Sequence, residues 1–136
     1  MTHPTPALER LAAAFADAFT EGDVDALTSL LDPGAVIWHN HDRSSQSVAE
    51  WLGLATHVRA VMRIRYDDIR RHYFQDGWVQ QSVVRSTSLD GAELGAVEAV
   101  FVALVRDARI VRLDEYLDSA QIPIPLPADG PSEGGS

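Results

Sequence analysis

The stretch Ile110-Val111-Arg112-Leu113-Asp114-Glu115-Tyr116-Leu117-Asp118 alternates as a β-strand does. Successive strand side chains go to opposite faces. One face carries Arg112, Asp114, Tyr116 and Asp118, a solvated or interface pattern. The other carries Val111, Leu113, Glu115 and Leu117, so Glu115 is the one charge on an otherwise apolar face. A carboxylate there is costly unless it is hydrogen-bonded or its pKa rises. Such an acid is a candidate for proton chemistry in an apolar pocket. The plain alternative is a wet position at the rim of a sheet.

Working back from this stretch, three more runs read as strands, at about 63–75, 78–89 and 94–106, with the last at 109–119. The breaks between them are Asp76-Gly77, Asp90-Gly91 and Asp107-Ala108; the first two are good hairpin signals. Strands joined by such short connections are antiparallel. Ahead of them the spacing changes to helical. Thr5 and Pro6 predict an N-cap and first helical residue; Leu8, Leu11, Ala12, Phe15 and Phe19 follow on one face, and Gly22 ends the helix. Asp23 caps a short second helix through Ala26, Leu27, Leu30 and Leu31. Asp32-Pro33-Gly34 predicts a turn and 35–41 a strand. Ser47-Val48-Ala49-Glu50 is a capping box, opening a third helix through Trp51, Leu54, Ala55 and Val58. The expected fold is α+β: a curved antiparallel sheet wrapped by three N-terminal helices into a cone with an apolar interior. Residues 1–121 form this domain. Residues 122–136, with four Pro, three Gly and two Ser, are expected to be a flexible extension.

Composition narrows the function. The chain has 136 residues, enough for one core without staples. With 20 acids against 11 Lys and Arg its net charge is −9, which opposes binding to nucleic acid or to an anionic membrane. There is no Cys, hence no disulfide, thiolate nucleophile or Cys-ligated metal. No apolar run approaches the roughly 20 residues of a membrane span. Met1-Thr2-His3-Pro4 lacks signal-peptide character, so a cytoplasmic enzyme or binding protein is expected.

Three stretches, Phe19 to Leu27, Val36-Ile37-Trp38-His39-Asn40, and Ile110 to Asp118 with its Glu-Tyr-Leu-Asp ending, resemble the NTF2-like superfamily. That group contains ketosteroid isomerase, limonene epoxide hydrolase and the SnoaL-like polyketide cyclases. The resemblance covers about residues 7–121. It implies the cone fold and, commonly, a homodimer through the outer sheet face; it says less of the reaction, because this fold hosts many functions. Counted without gaps from Gly22-Asp23, His39 falls where ketosteroid isomerase carries its general base and where the hydrolase carries an Asn that holds the attacking water. Glu115 falls where the hydrolase carries its water-activating Asp. A gap of one residue at Asp32-Pro33-Gly34 would put Asn40 in the site instead; the two point to opposite faces, so one alone lines the cavity.

The departures are informative. The positions that hold the enolate oxygen in ketosteroid isomerase carry Phe15 and Phe101 here, neither of which donates a hydrogen bond. Of the hydrolase's Arg-x-Asp pair, counting from Gly77 leaves Val83 and Arg85, with the arginine shifted by two and the second acid lost. The SnoaL-like cyclases, needing one base and a shaped pocket, demand least. Glu115 and His39 are thus the candidate catalytic residues, with Arg85 to orient a substrate oxygen. Asn40, Trp38, Gln81 and Val83 are further candidate ligand contacts, as are Phe15, Phe101 and Leu113. Val97, Ala99, Phe101 and Ala103 supply apolar wall. His39 as a core histidine bonded to a carbonyl is the plain reading against this. His39 and His41 share a face with Asp42 next in sequence, but no third ligand stands at a recognisable spacing, so no metal is expected. Nor is a cofactor. The expected partner is a small apolar or polycyclic ligand, with acid–base isomerisation, cyclisation or epoxide hydrolysis as the activity. A non-catalytic binding or dimerisation module is the alternative.

Overall fold

A computed structural model describes residues 5–122. Three helices, α1 (Pro6–Glu21), α2 (Val24–Leu30) and α3 (Val48–Arg59), accompany six strands: β1 (Leu31–His39), β2 (Ser44–Gln46), β3 (Met62–Phe74), β4 (Gly77–Ser88), β5 (Glu93–Arg106) and β6 (Arg109–Leu117). The helix ends follow the sequence signals. The Thr5 hydroxyl accepts the Leu8 N–H at 3.1 Å, the Asp23 carboxylate accepts the Ala26 N–H at 3.1 Å, and Ser47 and Glu50 exchange both bonds of a capping box. Gly22 closes α1 at φ 69°, the left-handed conformation that favours glycine. A Cβ there would lie 2.5 Å from Cδ of Arg59, so space demands the glycine too. Arg59 donates to the carbonyls of Phe19 and Thr20, placing a cation at the negative end of α1. A weaker contact to the Ile64 carbonyl at 3.4 Å ties the same side chain to β3.

The sheet runs β2-β1-β6-β5-β4-β3. From β3 to β6 it is the expected antiparallel meander. β1, however, pairs parallel to β6, so the sheet is mixed. The long path from β1 through α3 and four strands to β6 is the kind of crossover that parallel pairing needs. β2, unforeseen, adds antiparallel to β1. Asp32-Pro33-Gly34 does not break the strand as expected. The Asp32 carboxylate accepts the Gly34 N–H at 2.8 Å, and the extra chain is absorbed as a register shift between Leu31 and Val36. The strand ends at His39 rather than residue 41. The first hairpin turns at Gln75-Asp76, not at Asp76-Gly77: Gly77 is already in β4, where a Cβ would stand 1.9 Å from the Ala103 carbonyl oxygen. The third hairpin forms without glycine, with Asp107 and Ala108 at φ 54° and 65°.

The helices cover one face of the sheet. Between them lies a core in which Phe15 stacks on Trp51 at 6.1 Å and meets Phe101 edge-on at 5.8 Å, while Phe19 stacks on Tyr66 at 4.7 Å. Trp78, Ile37, Ile110 and Leu113 complete its floor. Ile110 rather than Val111 faces the core, because β6 shifts register between its pairings with Val105 and Leu104. No helix among the described residues is long and apolar enough to cross a membrane. The Pro- and Gly-rich stretch from residue 123 lies outside the described residues.

Candidate functional site

His39 and Glu115 are register partners where β1 runs beside β6. Their side chains meet on the inner face, His39 Nε2 to Glu115 Oε1, at 3.0 Å, and are only 7% and 17% exposed. The face polarity that singles out Glu115 thus has its cause: the acid is inside the cone, and an imidazole meets its desolvation cost. Asn40, the next residue, goes the other way. Its amide holds the Leu117 backbone from the outer side, accepting the N–H at 2.9 Å and donating to the carbonyl at 3.2 Å. It is His39 that faces inward.

The pair opens on a cavity of about 230 Å3 beneath α3. Phe19, Leu27, Trp51, Leu54, Val58 and Leu117 make most of its wall, with His39, His41, Arg59 and Glu115 as its ionisable members. A second lobe of about 140 Å3 shares Phe19, Val58, Ile64, Glu115 and Leu117 with it and reaches Met62, Val97 and Ile122. Glu115 stands where the lobes meet. A larger concavity, about 730 Å3, lies elsewhere, on the outer face around Asn40, Arg70, Gln81, Val83, Glu98 and Tyr116. It is a more open and more polar depression, without an imidazole–carboxylate pair. Size alone would choose it; desolvated acid–base chemistry needs the enclosed apolar cavity.

Two residues that alternation did not single out shape the field there. Tyr66, on the inner face of β3, is buried, and burial holds its phenol well above the usual range; the Glu115 charge adds to this and Arg71 offsets part. Arg59, on the cavity wall, is lowered by burial and by the adjacent Arg63. Tyr66 sits in a Met62, Ile64, Tyr66 alternation that could have marked it. Arg59 carries no sequence signal, because it acts through carbonyls of a distant helix.

The expected ligand contacts divide three ways. Phe15, Phe101 and Leu113 are on the inner side but fill the core, at 0%, 2% and 3% exposure, and do not line the cavity. Asn40, Gln81 and Val83 line the outer concavity, and Trp38 packs on Tyr116 at 5.2 Å with Arg43 over its ring. Arg85 is also outside, its Nε 2.9 Å from an Asp67 carboxylate oxygen, and does not reach Glu115. The β4 residues facing inward are Trp78, Gln80, Ser82, Val84 and Ser86, all buried except the half-buried Val84. Arg71 Nε donates to the Gln80 side-chain oxygen Oε1 at 3.0 Å. His39 and His41 are close, ring centroids 5.5 Å apart, but the described residues hold no group of three ligands for a metal.

No family model matches the sequence, and no curated protein matches it. Solved structures do. The chain is similar to IdmH of Streptomyces antibioticus, a candidate polyketide cyclase, at 22% identity and TM-score 0.69, over 83% of this chain and 93% of that one. An NTF2-like protein of Burkholderia xenovorans aligns at 14% identity and TM-score 0.71, over 88% and 95%. A protein of Catenulispora acidiphila with a ketosteroid isomerase-like fold, in complex with trimethylamine, aligns at 16% and 0.68, over 83% and 86%. These likenesses establish the fold: a cone-shaped α+β domain of the NTF2-like type, shared with SnoaL-like and ketosteroid isomerase-like proteins.

Proposed function

We propose that this NTF2-like domain is an acid–base catalyst acting on a compact apolar substrate, by isomerisation, cyclisation or hydration. The observation that carries the reading is the His39–Glu115 contact at 3.0 Å, buried and facing an apolar cavity. A cavity of about 230 Å3 suits a molecule of one or two rings, below the roughly 300–1,000 Å3 of drug-sized sites. Trp51, Leu54 and Val58 of α3 keep water from the reacting atoms, which strengthens each charge interaction inside. Glu115 takes a proton from carbon or from an attacking group, and His39 shares or returns it. None of these steps calls for a cofactor. The likeness to candidate polyketide cyclases supports a ring-closing or ring-rearranging reaction on a carbonyl compound.

The test is turnover of a panel of small cyclic ketones, phenols and epoxides by the wild type and by Glu115→Gln. The expected loss is about 10²- to 10⁴-fold, the usual share of a positioned acid–base group. Undiminished turnover in the variant sinks the assignment. A second reading, a non-catalytic ligand-binding module, is favoured by Phe15 and Phe101, core residues that stand where the resemblance to ketosteroid isomerase would place its hydrogen-bond donors. Equal binding by both proteins with no turnover of any panel member would establish it. The outer face, with its exposed Tyr116 and broad concavity, is proposed as the contact of a cytoplasmic homodimer. A sedimentation mass near the 14.9 kDa of one chain would remove that part.

A further inference from the structure

Arg59 stands in the wall of the cavity that holds His39 and Glu115, and the proton chemistry above makes no use of it. One part of its guanidinium is committed. Nη2 donates to the carbonyls of Phe19 and Thr20, with the longer contact to Ile64. Nε and Nη1 make no hydrogen bond among the described residues. Neither is one of the buried polar atoms that lack a partner, so both stay open to a molecule lying against the side chain. Gly22, in the same wall, leaves the guanidinium its place: a Cβ there would stand 2.6 Å from Nε. The charge is also unanswered. No carboxylate among the described residues forms an ion pair with Arg59 or with its neighbour Arg63. Glu115, the acid of this wall, is taken by His39 at 3.0 Å. Arg63 adds a like charge, its Nη1 donating to the Arg59 carbonyl at 3.3 Å. The carbonyl end of α1 offsets only roughly half an elementary charge. In a chain with 20 acids against 11 Lys and Arg, this cation is left to a partner from outside. A half-buried cation with apolar walls beside it is satisfied by an anionic group that brings charge and acceptor atoms together.

We infer that Arg59 is a specificity-determining residue of this cavity and that the ligand it selects is a compact monocarboxylate: an apolar body along Trp51, Leu54 and Val58, with its carboxylate on Nε or Nη1 of Arg59. The inference rests on the reading of this cavity as the ligand site, and not on which proton Glu115 moves. Recognition here is by charge and hydrogen bonding, with no covalent step. The guanidinium keeps its charge throughout the working pH range, and a carboxylate is ionised there too, so the pair persists. The carboxylate is planar and carries one charge, which matches one guanidinium whose remaining N–H groups are free. A neutral ligand of the same shape fills the same walls and forfeits the charge-assisted bond. Arg59 therefore divides the apolar molecules that fit into acids, which are held, and their neutral counterparts, which are held less well.

The probes are 2-naphthoate and its neutral counterpart 2-naphthamide, compared by calorimetric titration at neutral pH. Wild type should bind the acid about 10- to 100-fold more tightly, the scale of a hydrogen bond to a charged group. Arg59→Gln should bring the two ligands to equal affinity, and Arg59→Lys should restore part of the preference. Arg63→Gln, outside the cavity wall, should keep most of it. Equal affinities in the wild type overturn the role of Arg59 and leave the cavity as the ligand site. A wild type that binds neither probe overturns the ligand-site reading and this inference with it. A preference lost as fully in Arg63→Gln as in Arg59→Gln would belong to the surface charge, and it too refutes the assignment. Arginine Nε 15N spectra of the wild type provide a check that needs no variant. On adding 2-naphthoate, the Arg59 signal should move more than those of Arg63 and Arg70. An Arg59 signal that stays fixed while Arg70, on the outer concavity, shifts places the acid on the other face and sinks the proposal.

Discussion

On one register row the inner face of the sheet carries His39, Glu115, Phe101 and Gln80; one residue further along, the outer face carries Tyr116, Val100, Gln81 and Arg70. Both faces hold close pairs of opposite charge type. Inside, His39 and Glu115 meet at 3.0 Å in a wall of aromatic and aliphatic side chains. Outside, Arg85 and Asp67 meet at 2.9 Å with a third of each side chain exposed. The distances are alike and the chemistry is not. Water screens the outer pair, and an exposed pair of this kind is worth about 0–1 kcal/mol. The inner pair sits where little water remains, so the attraction between its partners is screened far less. Which face a residue reaches, more than which residue it is, decides whether it can do chemistry here.

That contrast can be broken at several points. The largest effect expected is on rate: Glu115→Gln should cost about 10²- to 10⁴-fold in turnover. Arg85→Ala on the other face should leave turnover unchanged; a comparable loss from Arg85→Ala would erase the distinction between the faces. Next is packing. Trp78, fully buried on the inner face, should lose about 3–5 kcal/mol on replacement by alanine in urea unfolding. Tyr116→Ala, at a side chain 48% exposed, should lose well under half of that in the monomer.

Tyr66 offers a pH-dependent test of the same difference. Its folded-state pKa is raised, first by burial and then by Glu115, so the native state holds the phenol proton more tightly than the unfolded chain does. The stability from this linkage is complete below the unfolded value of about 10 and is lost as pH rises above it. Wild-type Tm should therefore fall between pH 9 and pH 11 more than that of Tyr66→Phe. Equal falls would mean that the phenol is not held away from water. The smallest effect is the outer ion pair itself: Arg85→Ala should change unfolding free energy by no more than about 1 kcal/mol.

Much of the fold was legible because its signals are local. Caps at Thr5, Asp23 and Ser47 and the four long strands need only neighbouring residues to be read. The parallel β1–β6 pairing was not legible, since it depends on a contact 76 residues apart in sequence, His39 with Glu115. Glu115 stood out because β6 alternates cleanly around it. β4 misleads because both of its faces mix polar and apolar residues. Gln80, Ser82 and Ser86 are buried inside while Val79 and Val83 face out, so the row containing Arg85 resembled a pocket lining and is not one. The cavity wall was half-visible: Trp51, Leu54 and Val58 mark a helix face, but the sequence does not say what that face leaves unfilled.

The bidentate grip of Asn40 on the Leu117 backbone acts as a detent. The chain ahead of it contains the Asp32–Gly34 bulge, where length can change without disturbing a ladder. The amide of Asn40 re-indexes the strand after that slack, matching a side chain to a fixed peptide group of β6. A one-residue insertion between Pro33 and Gly34 should then be taken up in the bulge, and a crystal structure of that variant should keep His39 opposite Glu115. With Asn40→Ala added, the same insertion is free to slide the strand one notch and turn the imidazole out of the cone. One surface amide thus serves as the error-correcting element for chemistry on the opposite side of the sheet.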